Sequence, residues 1–202
     1  LKLGIIDKDT KLSPRAPEVR PWEQLNETEK KNVAYRMAVY AAQVSCIDDN
    51  VGKLINTLKA EGKYENTLII FLSDNGACPE PYRELGGGKM QDINNPALSG
   101  PVSYGMGWAN VSSTPYRKWK VQGEEGGIRA PFILSWAKMT VNKNAIVPTP
   151  SYLIDVMPTF VEVSAANYPE SYKGNTIYPL EGRSFLNVIA GKPIKEHKYM
   201  YW

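Results

Sequence analysis

Thr67-Leu68-Ile69-Ile70-Phe71-Leu72-Ser73-Asp74-Asn75-Gly76-Ala77 decides the fold: an unbroken apolar run stops abruptly in a hydroxyl, a carboxylate, a carboxamide and a glycine. Its length, β-branching and polar flanks predict a strand, and the lack of alternation predicts one covered on both faces. In open α/β sheets, ligands bind just beyond the carboxyl ends of such strands. Asp74 and Asn75 fall at that point, and their hard oxygens suit Ca²⁺ or Mg²⁺. A turn that merely reverses the chain is the other reading of Asp-Asn-Gly.

Upstream of the strand lies a helix signal. Asn26 followed by Glu29 has the form of a capping box. From there Val33, Met37, Tyr40, Val44, Ile47, Val51, Leu54 and Leu58 alternate steps of four and three, ending at Gly62. That stripe predicts an amphipathic helix laid over the strand, the α-then-β half of a βαβ unit. Gly52 inside it weakens a helix by about 1 kcal/mol against Ala, and close packing on the sheet is the expected reason for it. Residues 1–25, with Pro14, Pro17 and Pro21 among charges, predict an extended crossing segment.

Downstream, residues 78–114 are rich in Gly, Pro, Asn and Ser and predict a long loop at the rim of the site. Gly86-Gly87-Gly88 lacks the Lys-Ser/Thr and following helix of a nucleotide cradle. Pro131-Phe132-Ile133-Leu134-Ser135-Trp136 predicts a second central strand, with Pro131 tolerated at its first position. Residues 152–165 predict a helix with Asp155 as cap and Pro158 in its first turn. A polar linker over 166–183, a short helix at Ser184–Ala190 and an aromatic strand from His197 to Trp202 complete the chain.

The bulk properties exclude several classes. A net charge of +3 with scattered Lys and Arg, over 202 residues that are 43% hydrophobic and 22% charged, is no nucleic-acid footprint. No apolar stretch is long enough to cross a bilayer and no signal peptide is evident. The sequence starts at Leu1 without Met and reads as a piece of a longer protein. Cys46 and Cys78 permit one disulfide without implying it. Asn26 and Asn110 match the short glycosylation pattern.

Two clusters therefore matter together. Ser73-Asp74-Asn75-Gly76 offers oxygens to a cation, and Tyr116 to Arg129 (Tyr-Arg-Lys-Trp-Lys-Val-Gln-Gly-Glu-Glu-Gly-Gly-Ile-Arg) offers ammonium and guanidinium groups suited to a tetrahedral oxyanion. A divalent ion with a cationic clamp stabilises charge in phosphoryl-type and sulfuryl-type transfer. A solvated basic loop is the alternative for the second cluster.

Taken in order, Tyr40-Ala41-Ala42, Asp48-Asp49-Asn50-Val51-Gly52, Asn66 to Ala77, Thr114-Pro115-Tyr116-Arg117 through Lys120, Glu125-Gly126-Gly127-Ile128-Arg129-Ala130-Pro131, and Asp155 with Pro158-Thr159 resemble the type I sulfatases. These are the formylglycine-dependent arylsulfatases of the alkaline-phosphatase-like superfamily. The resemblance implies an α/β fold: part of a mixed or parallel sheet flanked by helices, with the start of a smaller C-terminal α+β subdomain. Residues 1–165 would be the C-terminal portion of the catalytic domain and 166–202 the opening of that subdomain.

By the same resemblance Asp74 and Asn75 are two ligands of an active-site Ca²⁺. Lys120 is the loop lysine that contacts the substrate sulfate, its spacing to Arg129 favouring it over Lys118. Arg129 and Glu125 are structural. The implied reaction is hydrolysis of aryl or carbohydrate sulfate esters, with an extracytoplasmic location (periplasmic, secreted or lysosomal). The family's Cys/Ser-x-Pro-x-Arg nucleophile motif is absent; Cys78-Pro79-Glu80-Pro81-Tyr82-Arg83 has Glu80 where the motif needs proline and follows the Asp-Asn pair. The formylglycine is therefore expected upstream, and the excised piece alone is expected to be inactive. His197 is read as an ordinary surface or packing residue. Tyr82, Tyr104 and Trp108 in the long loop are candidates for stacking on the substrate. A phosphatase or phosphonate hydrolase of the superfamily, or a non-catalytic carbohydrate-binding relative, are the alternatives. Strands apolar on both faces predict exposed sheet surface and self-association of the isolated piece.

Overall fold

Asn26 and Glu29 form the reciprocal capping box that the sequence predicts: Glu29 N–H donates to Asn26 Oδ1 at 2.9 Å and Asn26 N–H to Glu29 Oε2 at 3.0 Å. They start α1, Glu27–Ala60, with Glu27 and Glu29 in the first turn and Lys59 in the last, charges that complement the helix dipole. The chain leaves α1 through Gly62, whose φ of 68° favours glycine. The computed structural model describes residues 6, 8–141 and 144–201, so residues 1–5, Asp7 and Trp202 of the expected segments lie outside the described residues.

The strand β1 spans Ile69–Leu72 and begins later than expected. Thr67 is held in the preceding turn, its N–H on the Tyr64 carbonyl and its Oγ1 on the Lys63 carbonyl. The long loop is more structured than its composition suggests. It carries α2, Pro96–Ser99, and α3, Met106–Ser112, whose Ala109 is fully buried. Then come α4, Glu125–Ile128, and β2, Phe132–Ser135, hydrogen-bonded to β1 in a two-stranded sheet. α5 is Val156–Val163, preceded by a 3₁₀ turn at Leu153–Asp155, with Pro158 in its first turn as expected. The expected linker contains a hairpin, β3 (Ser171–Tyr172) against β4 (Asn175–Thr176), antiparallel with Tyr172 opposite Asn175. Lys173 and Gly174 turn it with positive φ at both positions, the backbone of a type I′ turn reached without the usual Asn-Gly. Last is α6, Leu186–Ile189.

These elements fall into two compact units, Leu1–Leu58 with Ile70–Ile133, and Lys59–Ile69 with Leu134–Trp202. In the first, Ala16, Val19, Tyr104, Ala109 and Trp119 form the core, with Met37 and Trp108 packed on it. The N-terminal segment is not extended throughout: it has no regular structure over residues 10–16, turns at 17–19 and forms a 3₁₀ turn at Trp22–Gln24, and it is bound in place by Ser13 N–H on the Pro115 carbonyl and Ala16 N–H on Asn110 Oδ1. In the second, Phe185, Ile189, Asp155 and Thr159 are buried, and Val141 N–H donates to the Ile189 carbonyl.

Four expectations fail. Gly52 meets nothing: a Cβ there would have no atom within 4 Å, so sheet packing does not explain it. The stripe of α1 buries Val33 at its N-terminal end, whereas Val44, Ile47 and Leu54 are exposed. Phe71 of β1 and Phe132 and Ile133 of β2 are likewise exposed, so neither strand is covered on both faces among the described residues. The expected aromatic strand is irregular over residues 197–201. Its groups are taken by other partners: His197 binds Asp155, and the Tyr201 carbonyl accepts from the Tyr152 hydroxyl. Both cysteines are free thiols.

Candidate functional site

β1 ends at Leu72, and Ser73, Asp74 and Asn75 turn outward from it. Ser73 Oγ donates to the Asn75 carbonyl at 2.9 Å, closing that turn, and Asn75 Nδ2 donates to the Gly76 carbonyl at 2.8 Å. With its amide nitrogen so engaged, Asn75 has no hydrogen-bond partner on Oδ1 among the described residues, next in sequence to the exposed Asp74.

The second cluster is docked directly onto this turn. Gly76 N–H donates to the Gly127 carbonyl at 2.8 Å, and Lys120 N–H donates to the Ala77 carbonyl at 2.9 Å. The contact is backbone on backbone, and only glycine permits it: a Cβ on Gly76 would lie 1.8 Å from the Gly126 oxygen. On the far side, a Cβ on Gly126 would stand 2.3 Å from the Arg117 and Lys118 oxygens, and one on Gly127 2.0 Å from the Gln122 oxygen. Ser113 Oγ adds a bond to the Gly126 carbonyl at 3.2 Å. The Gly-Gly of α4 is thus a slot that receives the Asp-Asn-Gly turn on one face and the lysine loop on the other.

A cleft of about 820 Å³ opens beside this junction, lined among others by Asp74, Asn75, Cys78, Arg36 and Arg129. Arg36 projects from α1 and is 3% exposed, yet it has no carboxylate partner among the described residues. Its guanidinium donates instead to the carbonyls of Ser103 (2.9 Å), Gly86 (3.1 Å) and Gly87 (2.5 Å), and to Asn32 Oδ1 (2.6 Å). Burial holds the guanidinium below its ordinary pKa without neutralising it. The Gly86-Gly87-Gly88 triplet, all at positive φ, thereby offers carbonyl acceptors to a cation. A phosphate cradle needs the opposite polarity, donors toward the ligand. Arg129 lies over the Tyr116 ring, 4.8 Å to its centroid, and pairs with Glu125 at 3.2 Å. Both interactions fix the end of α4.

Lys118 and Lys120 diverge around the buried Trp119. Lys118 Nζ pairs with Glu18 and holds that carboxyl below its ordinary pKa, chiefly through the hydrogen bond. Lys120 Nζ pairs with Glu80 Oε2 at 3.1 Å, and that hydrogen bond keeps its ammonium above the ordinary lysine pKa. Lys120 does not itself line the cleft; its backbone bond to Ala77 ties its loop to a residue that does. Lys118 is committed to the N-terminal segment.

Of the aromatic candidates, Tyr104 walls the cleft but is 6% exposed, stacked on Tyr40 with centroids 4.6 Å apart, and burial pushes its phenol up. Trp108 is elsewhere. It donates Nε1–H to the Val33 carbonyl at 2.8 Å and lines a separate apolar cavity of about 350 Å³ with Val19, Trp22 and Val111. Tyr82 is exposed and does not line the cleft. The structure therefore brings together Asp74, Asn75 and the Lys120 loop, with Tyr104 behind them, and leaves Trp108 out. Two residues escaped the sequence reading. Arg36 was signalled by a charge set inside the apolar stripe between Val33 and Met37. Glu80 had only its place between two prolines. Asn26 and Asn110 both spend Oδ1 on backbone N–H groups within the fold.

A hard divalent cation fits Asp74 and Asn75 by donor chemistry. Two oxygens fall short of the roughly 6–8 that Ca²⁺ takes, and the described residues gather no group of three or more His, Cys, Asp or Glu that could hold a metal.

A strand-end carboxylate and carboxamide are locked by glycines to a lysine-bearing Gly-Gly-Ile-Arg loop. The family model for Sulfatase matches residues 11–165, and the chain belongs to the sulfatase family. It is 34% identical over 94% of its length to an arylsulfatase of Klebsiella aerogenes, covering 42% of that protein. It is 28% identical over 80% of its length to the steryl-sulfatase of Mus musculus, covering 22% of it. An N-acetylgalactosamine-6-O-sulfatase of Bacteroides thetaiotaomicron is 28% identical over 76% of this chain, 25% of the relative. The chain spans less than half the length of these relatives.

Proposed function

We propose that these residues form the cation-binding and sulfate-binding part of an enzyme that hydrolyses sulfate esters. The observation that carries it is the junction itself. Gly76 N–H on the Gly127 carbonyl and Lys120 N–H on the Ala77 carbonyl hold an oxygen pair and an ammonium group on one frame. Neither cluster alone distinguishes an active site from a turn or a basic loop.

Asp74 and Asn75 Oδ1 would hold Ca²⁺, with Mg²⁺ the other candidate, and the ion would supply positive charge beside the sulfuryl oxygens. Lys120, an ammonium at neutral pH whose pKa the bond to Glu80 raises further, donates to the sulfate oxygens and stabilises the negative charge that grows on the ester oxygen as it departs. Arg36 adds an un-neutralised positive charge to the wall and fixes the loop carbonyls around it. The nucleophile, a formylglycine, belongs to a portion upstream of these residues, so this piece alone does not turn over substrate. In this reading residues 1–165 are the C-terminal portion of the catalytic domain, part of its mixed or parallel sheet, and 166–202 open a smaller subdomain.

The substrate is a sulfated small molecule or glycan. The names of these relatives refer to aryl, steryl and amino-sugar sulfates, which supports the ester and leaves its alcohol open. The location is extracytoplasmic; no helix among the described residues is long and apolar enough to cross a membrane. The test uses the full-length protein that carries this chain. Asp74→Ala should lower bound Ca²⁺ and reduce sulfate release by at least about 10²-fold, while the thermal melt stays put. Unchanged metal content together with unchanged turnover contradicts the assignment.

A further inference from the structure

Glu80 is held with unusual firmness for an exposed acidic residue. Pro79 before it is fully buried, and its carbonyl accepts from Tyr82 N–H at 2.9 Å and from Ser103 Oγ at 3.0 Å. Pro81 follows, so proline rings limit the backbone on both sides. At the other end Lys120 is fixed by its N–H on the Ala77 carbonyl. Two anchored backbones thus present a carboxylate to the ammonium at 3.1 Å. The pair is open to water, with side-chain exposures of 57% for Glu80 and 32% for Lys120. Pairs so exposed are weak and exchange readily for a better-placed anion.

We propose that Glu80 is a specificity-determining residue for ligands of Lys120: its carboxylate neutralises Lys120 and limits how much negative charge such a ligand can carry. This rests on the reading that Lys120 receives the oxyanion. A sulfate monoester bears one negative charge and can share the ammonium with the carboxylate close by. A phosphate monoester bears nearly two near pH 8 and meets Glu80 as a like charge. The discrimination comes from a repulsive group beside the attractive one, the general way in which sites separate near-isosteric ligands. Phosphate and sulfate esters match in shape and differ in charge, so charge is the property left to read.

The experiment compares wild-type, Glu80→Gln, Glu80→Asp and Lys120→Ala full-length protein. Phenyl sulfate serves as substrate and phenyl phosphate as competing ligand at pH 8, at low and high salt. Glu80→Gln should tighten phenyl phosphate inhibition by about three- to tenfold and change KM for phenyl sulfate by about twofold or less, with the difference shrinking at high salt. Glu80→Asp, which keeps the charge, should retain the wild-type preference even if the longer side chain matters for folding. An unchanged ratio of the two affinities in Glu80→Gln, with both weakened in Lys120→Ala, overturns the role of Glu80 and leaves that of Lys120 standing. Affinities untouched by Lys120→Ala overturn the underlying reading and this inference with it.

Discussion

Gly76 and Gly52 look alike in sequence and are opposites in the structure. A methyl on Gly76 must displace the Gly126 carbonyl, a rigid backbone atom of the slot. Gly76→Ala should therefore cost about 1–3 kcal/mol or more and shift the melt downward. Gly52 lies in open space inside α1, so Gly52→Ala should add about 0.5–1 kcal/mol from the helix-forming advantage alone. Two melts of the same sign would contradict the slot. Asp74 and Asn75 were legible as site candidates because strand-end chemistry is written locally. Arg36 and the glycine slot were not, since each depends on carbonyls brought from distant loops.

At the level of elements, the capping box of α1 shows the same rule from its legible side: both partners lie within one turn, and both bonds form. Asp155 shows the other side. It was read as a helix cap, and its Oδ2 does accept from Tyr152 N–H at 2.9 Å, but its Oδ1 accepts from Arg183 N–H at 2.7 Å and meets His197 Nε2 at 2.7 Å. The carboxylate is 1% exposed. Thr159 extends the knot, with Oγ1 donating to the Asp155 carbonyl and accepting from Phe185 N–H. One residue thus ties the start of α5 to the segment before α6 and to the chain around His197. Asp155→Ala would leave buried donors without acceptors and should lower stability by about 3–5 kcal/mol, measured by denaturant titration. A loss below about 1 kcal/mol would show that the knot is dispensable. His197 is a packing residue, as its sequence context suggested, with a buried ionic partner that no local pattern announced. Within the expected strand, the His197 ring is committed to Asp155 and the Tyr201 carbonyl to the Tyr152 hydroxyl.

For the whole molecule, the two apolar runs were legible as strands and the stripe as a helix, since length and periodicity fix element type. What covers them was not legible. Phe71, Ile133, Ile47 and Leu54 stay exposed among the described residues. The isolated chain should accordingly self-associate, seen as a sedimentation coefficient that rises with concentration and as binding of an apolar dye. A monodisperse monomer with a cooperative melt would contradict that. Membership of the sulfatase family gives the apolar run its meaning, and the junction of Gly76, Gly127 and Lys120 gives it a mechanism. The most direct measurement is sulfate release from an aryl sulfate by the full-length protein, wild type beside Lys120→Ala. The account predicts that kcat/KM falls by about 10²–10³-fold in the variant while its melt is unchanged. Equal rates in the two proteins would contradict it.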